Sequence, residues 1–244
     1  MGSPVGLFAT CLADGVRPSV ALATYALLCD SGAQVFYPPS QTCCGQIAFN
    51  SGYHKETRAI IEKCTTEFAT CTQVVMPSGS CCGMLRTAMG ELFSEDDPEF
   101  AFGKKCLELS EYLQQVNYQP HQRTAAFSVT YHDSCAGLRE LGVKQVPRQL
   151  LQKSGVRIIE MADAEECCGF GGRFSTQFGA LSTAMATRKC EHIIAANADA
   201  VVMGDVGCMV QIEGRLRRLG SNLPVLHWSE ILVGEGIAGA AIKK

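Results

Sequence analysis

The sequence predicts an α/β protein built as two pseudo-symmetric repeats, each a small, mostly parallel sheet flanked by helices. Three observations predict it. Apolar runs of strand length alternate with stretches of helical period along the whole chain. A cysteine pattern occurs twice: Cys11, Cys43, Cys44 and Cys81 are restated by Cys135, Cys167, Cys168 and Cys208, the first three at a constant offset of 124 residues. A polar stretch from Asn117 to Arg123, holding Pro120, separates the copies, which places the repeats at 1–120 and 121–244.

Val5 to Thr10 reads as a buried parallel strand leading to Cys11. Arg17 to Cys29 reads as a helix. Pro18 suits its first turn, and Val20, Ala23, Leu27 and Leu28 have helical spacing. Ala33 to Tyr37 is a second strand, closed by Pro38-Pro39, and the Cys43-Cys44 doublet follows in a loop. Lys55 to Phe68 is helical. Thr72 to Met76 is a third strand, with Cys81 just past its end. Leu85 to Val116 reads as helix, interrupted at Ser94-Glu95-Asp96-Asp97-Pro98, where Ser94 or Asp96 suits the cap of the second segment.

The second copy reads alike. Thr124 to Tyr131 is a strand before Cys135, Val146 to Lys153 a helix, and Val156 to Glu160 a strand leading to Cys167-Cys168. Phe174, Phe178, Leu181 and Met185 then fall on one face of a long helix. Asp199 to Met203 is a strand with Cys208 beyond it. Leu223 to Leu226 and Ser229 to Leu232 add a short strand and helix.

With 244 residues, 47% hydrophobic and 18% charged, the chain has the composition of a soluble globular protein. A net charge of −3 implies no polyphosphate partner. Val5 to Thr10 is too short and lacks the basic flank of a signal peptide. No apolar run reaches the roughly 20 residues of a membrane span. A cytoplasmic location is expected, and 14 cysteines there point to metal or redox chemistry rather than structural bridges. No P-loop, Ser-His-Asp pattern or basic-aromatic nucleic-acid signature is present. Gly169-Phe170-Gly171-Gly172 lacks the spacing of a dinucleotide fingerprint.

The doublets carry the chemistry. Neighbouring Cα atoms lie about 3.8 Å apart, short of the roughly 4.4 to 6.8 Å that disulfides prefer. Two adjacent thiolates can instead reach one metal centre. The glycine after each doublet lets backbone N–H groups approach a negatively charged cluster. In parallel sheets, ligands gather outside the carboxyl ends of the strands. Each repeat is therefore expected to gather four thiols on one edge: Cys11, Cys43, Cys44 and Cys81, then Cys135, Cys167, Cys168 and Cys208. Structural zinc usually takes C-x2–4-C pairs, which an adjacent doublet matches poorly, so iron–sulfur is preferred and zinc stays open.

Cys82 is a spare ligand at most. Cys29, Cys64, Cys71, Cys106 and Cys190 fall outside the register and are assigned to core packing. His132 and Asp133 are expected to orient the loop before Cys135 by hydrogen bonding, in preference to a catalytic role. Gly169 is placed beside the cluster. Arg173 either neutralises cluster charge, meets a carboxylate substrate, or is a solvated surface group. His54, His121, His192 and His227 are read as ordinary surface or core residues.

At these residues the chain resembles the cysteine-rich CCG domain proteins. That group includes the cysteine-rich subunit of heterodisulfide reductase and the iron–sulfur subunits of glycolate and anaerobic glycerol-3-phosphate dehydrogenases. Within it, the chain is most similar to the small two-repeat subunits of lactate-utilization systems. The matching stretches are Cys43-Cys44-Gly45-Gln46 with Phe49-Asn50-Ser51-Gly52-Tyr53, Pro77-Ser78-Gly79-Ser80-Cys81, Tyr131-His132-Asp133-Ser134-Cys135 and Cys167-Cys168-Gly169-Phe170-Gly171-Gly172.

The resemblance implies one or two 4Fe–4S clusters, with zinc at one site as the alternative. It also implies partners: a ferredoxin-like iron–sulfur subunit and a third small subunit, together passing electrons from L-lactate toward the respiratory chain. The C-x-x-C ending of the heterodisulfide reductase motif is incomplete here, since Cys81 is followed by Cys82-Gly83-Met84 and Cys208 by Met209-Val210-Gln211. That favours a plain four-thiolate cluster over the unusual five-ligand one. No flavin motif accompanies the cysteines, so the chain is expected to be a component of an oxidoreductase complex rather than a complete enzyme. Three further readings stay open: an equivalent subunit of a glycolate, glycerol-3-phosphate or heterodisulfide enzyme, a zinc-bound scaffold, and a thiol–disulfide enzyme using the doublets directly.

Overall fold

The computed structural model describes residues 3–122 and 126–234. The chain divides into two compact units, Met1–Tyr118 and Gln119–Lys244. The first runs β1 (Val5–Leu7), α1 (Cys11–Val16), α2 (Pro18–Asp30), β2 (Val35–Phe36), α3 (Gln46–Phe49), α4 (His54–Glu67), β3 (Gln73–Met76), α5 (Gly79–Thr87), α6 (Met89–Leu92), α7 (Pro98–Lys105), β4 (Cys106–Glu108) and α8 (Leu109–Gln115). Its sheet has the order β2-β1-β3-β4, every pairing parallel. The second unit runs β5 (Ser128–Tyr131), α9 (Cys135–Arg139), α10 (Gln145–Lys153), β6 (Arg157–Ile158), α11 (Arg173–Gln177), α12 (Gly179–Ala195), β7 (Ala200–Met203), α13 (Val206–Arg218), β8 (Val225–His227) and α14 (Trp228–Val233). Its sheet repeats the plan as β6-β5-β7-β8, again all parallel.

The inner strands are apolar because helices cover them. Val74, Val75 and Met76 of β3 and all of β7 are buried. Helix α4 buries Thr57, Ile61 and Cys64, at steps of four and three. In the first core, Phe68 stacks on Phe8 at 5.7 Å and on Phe102 at 6.3 Å. Gly6 is required there, since a Cβ would stand 2.5 Å from the Phe68 ring.

The structure corrects several sequence expectations. The helix expected over 85–116 begins at Gly79, and strand β4 interrupts it near its end. Nothing local marks Cys106-Leu107-Glu108 as a strand. Pairing with Val74, Val75 and Met76 decides it. Cys106 therefore lies on a strand. Cys81 and Cys208 follow the ends of β3 and β7 as read from the sequence, and there they enter the first turns of α5 and α13. The long helix expected after Gly172 is two helices broken at Phe178, and its apolar stripe faces outward, with Phe178 55% and Leu181 54% exposed. Helical spacing gives a face but not the direction it looks. The strand start expected at Thr124, and the linker end at Arg123, lie outside the described residues.

Both sheets end in the same device. Glu108 caps α8: its Oε2 accepts from the Ser110 N–H at 2.7 Å, and its own N–H donates to Glu111 at 2.9 Å. His227 caps α14 likewise, with Nδ1 accepting from the Ser229 N–H at 3.2 Å and its N–H donating to Glu230 at 2.7 Å.

Glu108 is buried, and burial pushes its carboxyl up to about 7 against the caps that pull it down. Unfolded, it titrates near 4.5. Between those values the folded state holds the extra proton, so stability present at low pH is lost as pH rises toward 7. Glu108→Gln is expected to remove this loss, which is about 3 kcal/mol. Urea unfolding at a series of pH values checks it, and superimposable stability profiles for the variant and the parent would refute it.

Candidate metal centres

Each unit gathers four thiols where its strands run into helices. In the first, Cys11 opens α1, Cys43 and Cys44 end the loop before Gly45, and Cys81 stands in the first turn of α5. The thiol of Cys11 donates to Cys43 across 3.7 Å. Cys44 bridges the group, its thiol interacting with both Cys43 and Cys81. In the second unit the partners repeat. Cys135 opens α9 and interacts with Cys167, Cys167 with Cys168, and Cys168 donates to Cys208 at 3.2 Å. All eight are free thiols. Each centre has a buried floor (Cys44 and Cys81, or Cys168 and Cys208) and an accessible rim (Cys11 and Cys43, or Cys135 and Cys167).

One sulfur in each group is shifted toward its charged form by the donors around it. The Cys11 and Cys44 thiols, then the backbone N–H of Gly45 at 3.4 Å, pull Cys43 down to about 2. The Cys135 and Cys168 thiols, then the Gly169 N–H at 3.3 Å, pull Cys167 down to about 2. The donors move the other way. Cys11 and Cys135 are raised by donating to those sulfurs and by burial. Cys44 and Cys168 are raised by their sulfur neighbours and by burial. Cys208 is pulled down by Cys168, but burial and the nearby Asp205 and Cys167 outweigh this and leave it raised. The positive ends of the α5 and α13 dipoles also lie at Cys81 and Cys208.

Of the flanking residues, Asp133 does not touch the sulfurs. Its carboxylate is held bidentate by Arg148 at 2.7 and 2.8 Å, and Arg148 also reaches Glu160 at 2.6 Å and lies 4.4 Å over the Tyr131 ring. His132 is fully buried, and a nitrogen of its ring lies within 4.8 Å of the Cys168 and Cys208 sulfurs. Burial, then Lys189, pushes His132 down to about 3. Arg173 is exposed at the start of α11.

Cys82 points away from the group. It is buried among Cys106, Glu111 and Arg86, so it belongs to the core. Cys64, Cys71, Cys106 and Cys190 are buried as expected, and the Cys64 thiol reaches the Cys43 carbonyl at 3.9 Å. Cys29 is a correction: it is exposed beside Tyr25, because the buried stripe of α2 is Val20, Ala23, Thr24, Leu27 and Leu28. Sequence reasoning also missed Lys189. It is buried, donates to the Asp163 carbonyl, and feels the charges of Glu166 and Cys168. Its counterpart Lys63 donates to the Ser40 carbonyl. The recurring Lys-Cys pair, Lys63-Cys64 and Lys189-Cys190, was the available signal.

Comparison with known proteins agrees with this architecture. The family described as the cysteine-rich domain CCG matches residues 5–89 and again 129–213. Lactate utilization protein A of Geobacillus kaustophilus (strain HTA426) is 40% identical over 240 residues, covering 93% of this chain and 98% of that one. The protein of the same name from Geobacillus sp. (strain WCH70) is 39% identical over 234 residues, covering 93% and 98%. The crystal structure of a hypothetical protein from Helicobacter pylori superposes with a TM-score of 0.65 at 12% identity, over 98% of this chain and 51% of that one, a likeness of fold alone. The chain thus spans about half the length of that structure.

The two glycines that follow the doublets adopt positive φ, +88° at Gly45 and +82° at Gly169. A Cβ at Gly169 would stand 2.8 Å from the Ser182 carbonyl, whereas at Gly45 the nearest atom is 3.4 Å away. Gly45→Ala is therefore expected to carry only the backbone penalty, about 1 kcal/mol. Gly169→Ala should add a backbone clash and lose about 2 to 4 kcal/mol. Denaturant unfolding of both variants tests the order, and equal losses would contradict it.

Proposed function

The chain belongs to the cysteine-rich CCG domain family, and from that premise we propose that it is a metal-binding, electron-carrying subunit of a lactate-utilization system. One observation carries the reading. Each unit brings four thiols from three separate segments, two helix starts and one doublet loop, into one sulfur cluster, with the first sulfur of the doublet accepting the N–H of the following glycine. Burial alone explains neither the doublets nor their repetition. The donor set fits a thiolate-bound metal group: soft sulfur ligands, no competing disulfide, and backbone N–H groups beside that sulfur.

Cys11, Cys43, Cys44 and Cys81 would hold one group, and Cys135, Cys167, Cys168 and Cys208 the other. An iron–sulfur cluster would supply one-electron transfer there. The protein's own contribution is to lower the cost of gathered negative charge through Gly45, Gly169 and the helix ends, and to leave the rim sulfurs near solvent, where a partner could approach. The lactate-utilization assignment rests on the names of the relatives. The iron–sulfur and third subunits implied by the resemblance are the expected electron partners.

A second reading has its own observation. A tetrahedral ion with metal–sulfur bonds of about 2.3 Å sets its sulfurs about 3.8 Å apart, and Cys11 and Cys43 are 3.7 Å apart. A four-iron cluster spreads its thiolates farther. Zinc in the first unit would need little movement of that pair.

Iron, acid-labile sulfide and zinc per chain, measured after anaerobic purification together with the visible spectrum, separate the readings. About four or eight irons with matching sulfide and broad absorbance are expected for one or two clusters. Cys167→Ser is expected to abolish one centre and lactate-dependent growth. Stoichiometric zinc without sulfide would replace the electron-carrying reading with the scaffold. Normal growth of the Cys167→Ser strain would count against the lactate role.

A further inference from the structure

We propose that His132 supplies an imidazole nitrogen to the metal group of the second unit, so that the two centres differ in their donors: sulfur alone in the first, sulfur plus nitrogen in the second. The inference rests on the reading that the thiols hold metal, and goes beyond it by naming a ligand.

His132 is fully buried, and among the described residues neither ring nitrogen has a hydrogen-bond partner. A buried polar group left unpaired costs about 1 to 3 kcal/mol, and folded proteins rarely leave one so. The Ala164 carbonyl is close enough to favour a proton on the ring, but not in hydrogen-bonding geometry. What the ring does face is sulfur. One ring nitrogen and the sulfurs of Cys168 and Cys208 all lie within 4.8 Å of one another, and all three residues are buried. An ion holding both an imidazole and a thiolate sets nitrogen and sulfur about 3.6 Å apart. A side-chain movement of about an ångström at most brings the three donors onto one metal.

The backbone fixes where the ring sits. The His132 N–H donates to the Val202 carbonyl at 2.8 Å, which extends the β5–β7 ladder by one residue. The next N–H, of Asp133, donates to Ala164 at 3.2 Å, and the Asp133 carboxylate is clamped by Arg148. The residue before Cys135's helix cap is therefore held on both sides, and the imidazole enters the sulfur group from the strand end.

The first unit supplies the control. At the offset of the cysteines, Phe8 occupies the position of His132. Phe8 is also fully buried, and stacks on Phe68 at 5.7 Å. The fold thus accepts an apolar ring at this position. An imidazole in its place brings nothing that packing needs and one thing that packing lacks, a nitrogen lone pair beside sulfur. A core histidine serving structure alone would have a hydrogen-bond partner, and this one has none among the described residues.

The test uses the full chain carrying Cys43→Ser and Cys44→Ser, which disables the first centre, loaded with zinc(II) alone. Zinc X-ray absorption is expected to show an imidazole shell beside the sulfur shell. His132→Phe, which copies the first unit, should remove that shell and weaken zinc binding at least about tenfold. Circular dichroism checks that the variant folds, and the spectrum of the unsubstituted histidine protein is decisive without it. Zinc held by sulfur alone, or a nitrogen shell that survives His132→Phe, overturns the inference and leaves the thiolate reading standing. A chain that retains no zinc also overturns the inference, and leaves the thiolate reading to the iron and sulfide measurement.

Discussion

Crowding four sulfurs at the carboxyl edge of a small parallel sheet is the constraint on which each unit depends. Four thiolates at such separations would repel one another strongly, and two of them lie on a buried floor. The protein meets this with short loops of one design. A strand delivers Cys11 or Cys135 at a helix start, a loop supplies the doublet, and a helix's first turn brings Cys81 or Cys208. The glycine after each doublet turns its N–H back onto the first sulfur. Parallel pairing places all three segments at one edge, which an antiparallel sheet of the same length would not do.

Much of this was legible in the chain itself, for a physical reason. Cysteine spacing survives as a covalent pattern, and the three loops that hold it are punctuated by glycine and proline. Buried parallel strands also announce themselves as continuous apolar runs. What stayed hidden was decided by partners far away in sequence. Strand β4 has no signature of its own and exists because β3 offers it a ladder. Phe178 and Leu181 have the spacing of a core face but look outward, since spacing carries no sign. Lys189 sits in a helix as an unremarkable cation until folding buries it beside Asp163. The caps at Glu108 and His227 share only the Ser-Glu that follows one residue later, too little to notice in isolation.

The two copies agree in backbone and differ in chemistry. The offset that superposes their cysteines sets Phe8 against His132 and Ala9 against Asp133. Ala9 uses only its N–H, donated to Gln41 at 2.9 Å, whereas Asp133 anchors a buried ion pair with Arg148. At these two positions the first unit carries apolar groups, whereas the second carries an imidazole beside the sulfurs and, next to it in the chain, a carboxylate held by a buried guanidinium. Such surroundings set how readily a metal group accepts charge. Duplicated frames with unlike linings allow two centres of unlike affinity within one short chain.

The distance along the chain between the outermost thiols has a consequence for how the protein is made. Cys11 and Cys81 stand 70 residues apart, and Cys135 and Cys208 stand 73 apart. A metal gripping both ends works as a staple that closes a long stretch of polymer. In the unfolded chain that closure is entropically opposed, while the folded unit presents it already closed. Binding free energy then becomes folding free energy. The supply of metal in the cell would set not only how much of the protein is charged with its group, but how much of it stands folded at all.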